Sequence, residues 1–102
     1  MGGLQDNGSW HGPAYVWVNS GIRNAYWQGV GGGDGFDVVP DAEDANWVYS
    51  MSQGGAVGRY NIATGEEWSI RPPSPAPGVR QRFNWNAAIA QDPFDKKTIY
   101  YG

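Results

Sequence analysis

A single leucine, Leu4, among 102 residues does most to restrict what this chain can become. Helical bundles and coiled coils are built on repeating Leu, and none is present to repeat. The composition is instead sixteen Gly, seven Pro, six Trp, six Tyr and three Phe. Aromatic runs broken by Gly and Pro point to an all-β chain of short strands joined by many turns. The aromatic content also argues against disorder.

Charge and residue usage remove several function classes. A net charge of −3, with no like-charge run longer than Lys96-Lys97, gives no footprint for nucleic acid. No apolar stretch has the length of a membrane span, and the first residues lack the charged and apolar regions of a signal peptide. Without Cys there are no disulfides or thiolate metal sites, and a lone His11 cannot build a multi-histidine site within one chain. Neither a metal nor a cofactor is expected, and the compartment is not readable.

Four regions follow from the turn signals. Residues 31–72 hold four expected strands: Phe36–Val39, Trp47–Met51, Ala56–Ile62 and Glu67–Ile70, with turns at Pro40–Asp44, Gly54-Gly55 and Ala63–Glu66. Residues 73–82 are a Pro-rich, extended connection. Residues 83–102 carry two expected strands, Asn86–Ala90 and Thr98–Tyr101, around the turn Gln91–Lys97. Residues 1–30 carry two more: Leu4–Trp10, a strand with its preceding turn, and Asn24–Gln28, separated by the long loop His11–Arg23.

A shift of 51 positions lays Asp41 on Asp92, Asp44 on Asp95, Val48 on Ile99 and Tyr49 on Tyr100. Internal similarity at this period marks a repeat architecture, and four short strands per repeat favour a β-propeller. With strands of each repeat lettered A to D, the expected order is C-D, then A-B-C-D, then A-B. That makes two blades per chain, one of them split.

The run Val30–Phe36, the turn Pro40-Asp41, Trp47-Val48-Tyr49 and Arg59–Trp68 resemble blades of bacterial-neuraminidase-repeat propellers. This group includes sialidases, xyloglucanase-type hydrolases and sortilin-like ectodomains. Gly3–Gly8 and Phe83–Asn86 are similar to its large bacterial members, often labelled glycosyl hydrolases. Asn61–Trp68 resembles the group's aspartate box in degenerate form, with Ala63 in place of Asp and with Gly65 and Trp68 matching. The resemblance implies an architecture more than an activity. It also implies that Trp68, Trp27 and Trp10 pack between blades.

Two blades cannot close a ring, and an open sheet edge is a template for another chain. The expectation is therefore homo-oligomerisation, in which the Thr98–Tyr101 edge accepts the Leu4–Trp10 strand of the next copy. Leu4, Ser9, Trp10, Thr98, Ile99, Tyr100 and Tyr101 would form that interface. A heterologous head-to-tail contact that closes gives a ring. Four copies are favoured, with three or five as alternatives, against a common range of roughly four to eight blades.

Candidate chemistry is sparse. Asp34 and Asp37, with Asn84 and Asn86 at the corresponding places, could line a channel and bind sugar hydroxyls or a cation, although capping of turns and backbone groups is the first expectation. The exposed aromatics Tyr15 and Trp17 could stack on sugar rings. Asp6 is the best catalytic candidate, because xyloglucanase-type relatives place a catalytic Asp in a similar turn. Glycoside hydrolysis ordinarily needs a second carboxylate, and none is marked out. The first reading is thus a self-assembling scaffold without catalysis. A carbohydrate-binding module and part of a glycoside hydrolase are the alternatives.

Overall fold

The computed structural model describes residues 1–102 and is all-β, with nine strands in three antiparallel sheets. The first sheet contains β1 (Gly2–Leu4), β2 (Gly8–His11) and β3 (Gln28–Gly31), in that order. The middle sheet has the order β4 (Gly35–Pro40), β5 (Trp47–Ser52), β6 (Ala56–Asn61) and β7 (Glu67–Ser69). The last pairs β8 (Ile89–Gln91) with β9 (Ile99–Tyr101). The four strands expected between residues 31 and 72 form as one meander, no end moved by more than one residue.

The first sheet differs from expectation. The expected turn, Gln5–Asn7, and the strand after it, β2, both form within Leu4–Trp10, but a further strand, β1, precedes the turn and makes a hairpin. Asn24–Tyr26 is a short 3-10 turn, and the strand expected there begins at Gln28. Glycine masked both, since Gly2, Gly3, Gly29 and Gly31 carry no β-propensity. Nevertheless they are where the chain can run closest to its neighbour. A Cβ on Gly31 would meet Ser50 Oγ at 2.6 Å, and one on Gly3 would collide with the backbone of Gly35 and Phe36. The first sheet therefore lies on the middle one through small residues. Ser9, Val30 and Val48 are buried there, and Ser50 Oγ donates to the Val30 carbonyl at 3.1 Å.

The opposite face of the middle sheet is built of large apolar side chains. Alternation along β5 puts Tyr49 and Met51 on this face and Val48 and Ser50 on the other. Tyr49, Met51 and Val57 pack with Ala87 and Ile89 of the last sheet's approach, bordered by Phe36, Val39, Ile70, Phe83, Ile99 and Tyr101. The Phe83 and Tyr101 rings lie 4.7 Å apart.

Only 14 of 102 residues are buried, and the molecule extends 57 Å along its longest axis. Its radius of gyration of 15.0 Å exceeds the roughly 13 Å of a compact chain this long. The two outer sheets each leave one face uncovered.

Candidate functional site

The acidic candidates resolve into structural joints. Asp34, buried between β3 and β4, contacts all three sheets: its Oδ1 accepts the Asp6 amide at 3.0 Å and its Oδ2 accepts the Trp85 indole N–H at 3.2 Å. Its own amide donates to Gln53 Oε1 at 2.7 Å. One residue thus joins three places: its carboxylate holds the β1–β2 turn and the approach to β8, and its amide holds the β5–β6 turn. Asp37 Oδ2 accepts the Ile89 amide at 3.4 Å, joining β4 to β8. Both are occupied as caps of backbone and turn groups.

Asn84 and Asn86 are exposed in the segment before β8. The pairing registers, Val38 with Ser50 and Ile89 with Tyr101, put Trp85 and Ala88 at the positions of Asp34 and Asp37. The expected correspondence of the two asparagines with the two acids is corrected accordingly. Asp6 sits at the tip of the β1–β2 turn with φ of 63°. It is exposed, and the nearest acid in the hydrogen-bond network is Asp34, whose two oxygens already accept other donors.

The 51-residue repeat is visible as one turn built twice. Asp41 Oδ1 accepts the amides of Glu43 and Asp44 at 2.9 and 3.2 Å, and Oδ2 accepts the Tyr49 hydroxyl at 2.8 Å. Asp92 Oδ1 accepts the amides of Phe94 and Asp95 at 2.7 and 2.8 Å, and Oδ2 accepts the Tyr100 hydroxyl. Such Asx turns satisfy amides that no ladder reaches.

The surroundings of the two turns differ. Gln91 caps the first, donating to Asp41 Oδ2 at 3.3 Å and accepting the Ala42 amide at 2.9 Å. The second is open to solvent, with Phe94 97% exposed. Burial pushes the Asp41 carboxyl up, but its donors and the nearby Arg59 outweigh that and hold it below the ordinary range. The Tyr100 hydroxyl holds Asp92 down as well. Burial, then Asp41, pushes Tyr49 up against the opposing Arg59 charge, and Asp92 raises Tyr100. Asn61 Oδ1 makes a third turn of this kind, accepting the amides of Ala63 and Thr64 at 2.9 and 3.1 Å.

The aromatic candidates lie on open surfaces. Tyr15 and Trp17 meet edge to face at 5.7 Å, and Trp17 is 92% exposed. Leu4, Trp10, Trp27 and Asn24 line an open concavity of about 580 Å³ on the outer face of the first sheet. Trp10 Nε1 donates to the Asn7 carbonyl at 2.6 Å, and Trp27 packs against Gly12. Trp68 is exposed on β7 opposite Arg59, whose guanidinium stacks 3.9 Å from the centre of the Trp47 ring. The register sets Gln28, not Trp27, at the place of Trp68, because Gln28 faces His11 as Trp68 faces Arg59. Within one chain none of Trp10, Trp27 and Trp68 lies between sheets; each looks outward.

The interface candidates divide. Leu4 and Tyr100 are exposed, and Thr98, Ile99 and Tyr101 are half-buried. Ser9 is buried, and its strand is already paired with β1 through Gly3. The edge expected to be free on β2 is therefore occupied by this chain's own first residues. Sequence reasoning passed over Gln53, Trp85 and Gln91. Trp85 could have been found, as it lies 51 residues beyond Asp34. No three His, Cys, Asp or Glu side chains are grouped so as to hold a metal, and no helix is long and apolar enough to cross a membrane. Comparison with protein-family models, curated proteins and solved structures returns no match.

Proposed function

We propose that this chain is a self-assembling scaffold, a section of a β-propeller that closes into a head-to-tail ring of identical copies and has no catalytic activity of its own. The observation that carries the reading is the doubled turn, Asp41–Tyr49 capped by the following sheet and Asp92–Tyr100 uncapped. A repeated element is satisfied where a successor covers it and exposed where none does. The three sheets are stacked in chain order, as blades would be, and the uncovered face at each end is apolar or aromatic. Leu4, Trp10 and Trp27 lie at one end and Tyr100 and Phe94 at the other. Contacts of this kind are heterologous and continue until they close. Four copies, or three or five, would give a ring.

Light scattering tests this directly. The expected molar mass is a clean multiple of the 11.1 kDa chain, and the multiple counts the blades. A mass equal to the chain's would overturn the reading.

Carbohydrate binding is the second reading, favoured by the exposed Tyr15–Trp17 pair. Calorimetric binding of an oligosaccharide that disappears in Trp17→Ala would establish it. Hydrolysis has less support, since Asp34 is engaged by two donors and no other acid accompanies Asp6. Turnover of a chromogenic glycoside lost in Asp6→Asn would revive it.

A further inference from the structure

We propose that β1 is a placeholder on the edge of β2, and that in the assembly β9 of a second copy displaces residues Met1–Gly3 and takes their hydrogen bonds. This inference rests on the ring reading above and adds how the joint is made.

The registers carry the argument. In the middle sheet Tyr49, Ser50 and Met51 face Arg59, Gly58 and Val57. Carried to the first sheet through its equivalent three-residue turn, Gly2 and Gly3 of β1 stand at the positions of Ser50 and Met51, facing Trp10 and Ser9. Carried to the last sheet, Tyr101 and Gly102 stand at those same two positions. The chain thus holds two versions of one strand segment, and β2 has room for only one at a time. If β9 takes it, the sheet becomes β8-β9-β2-β3, the order of the complete middle sheet.

Side-chain space agrees at both positions. Gly3 runs so close to Gly35 and Phe36 that a Cβ there would strike backbone, and β9 brings a glycine, Gly102, to that place. Around Gly2 nothing lies within 4 Å of a built Cβ, so the Tyr101 side chain can enter. It would enter on the face that carries Trp10 and the apolar concavity, whose lining includes Gly2. Tyr101 already packs on Phe83 and donates to the Gly55 carbonyl of its own middle sheet. The joint therefore brings that concavity toward the outer part of the same sheet, where Trp68 is exposed. Strand preference favours the exchange, since Tyr100-Tyr101-Gly102 replaces Met1-Gly2-Gly3 and puts an aromatic residue in place of Gly2.

Two glycine variants separate this from a joint that leaves β1 in place. Gly102 has open space around it in its own chain, so Gly102→Val should fold as the wild type does. In the exchanged register its side chain would meet the Gly35–Phe36 backbone. Association followed by light scattering on dilution should weaken about tenfold or more. Gly3→Val should associate as well as the wild type or better, because it loosens a segment that exchange releases. Wild-type assembly with undiminished Gly102→Val and weakened Gly3→Val would overturn the exchange and leave the ring standing. A wild type that is monomeric at every concentration would overturn both.

Discussion

The two faces of the middle sheet hold their neighbours by opposite means. Toward the last sheet, Tyr49, Met51 and Val57 present bulk, and the contact is a small apolar core. Toward the first sheet, Ser50 meets Gly31 and Gly3 meets Gly35, so backbone approaches backbone, with Val30 and Val48 the buried apolar side chains there. Bulk gives stabilisation roughly in proportion to area, about 25 cal/mol per Å². Close approach gives geometry instead: it fixes how far apart two sheets sit and admits only a small residue at the points where the backbones meet.

The sharpest break in this comparison is Met51→Ala. Met51 is 0% exposed, so removal should cost about 2–5 kcal/mol, read as a lower urea midpoint. On the other face addition should do the damage. Gly31→Val places side-chain atoms where Ser50 Oγ already lies 2.6 Å from a Cβ, at an expected cost of about 1–3 kcal/mol. Ser50→Ala loses the bond to the Val30 carbonyl and should cost about 1 kcal/mol, and less when combined with Gly31→Ala, since the alanine vacates the contested space. A double-mutant cycle checks that coupling. Were Gly31→Val neutral and Ser50→Ala additive with Gly31→Ala, the close-approach account would fail.

The smallest effects belong to the paired turns. Asp41→Ala should lower stability more than Asp92→Ala, because Asp41 also receives Gln91 from the following sheet and Asp92 has no such cap. Acid should report the same difference. A carboxyl lowered in the folded state below its ordinary 3.8 contributes stability fully above that value and loses it as pH falls through the lowered one. The wild type should therefore lose stability between pH 5 and pH 2, and Asp41→Asn should lose less over that interval. Urea midpoints at the two pH values measure it; equal losses would contradict the assignment.

Much of this was legible in the residues. The alternation in Trp47–Met51, the Gly54-Gly55 turn and the pair Asp41 and Asp92 gave the meander and the repeat, because bulk, turn chemistry and spacing are all local signals. The close face was not legible: Gly3, Gly31 and Gly35 read as loop by propensity, and only the opposing backbone explains them. β1 and β3 were missed or shifted for the same reason. Asp34 was picked out, but its partners lie 19, 28 and 51 residues away, so its role as a joint among three sheets waited on the fold.

The central claim is that incomplete outer sheets are completed between copies. Mixing isotope-labelled with unlabelled chains and recording filtered nuclear Overhauser contacts tests it most directly. The account predicts contacts from Tyr101 of one copy to Trp10 of another. Contacts confined to Tyr101 with Phe83 of the same copy, and none across copies, would contradict it.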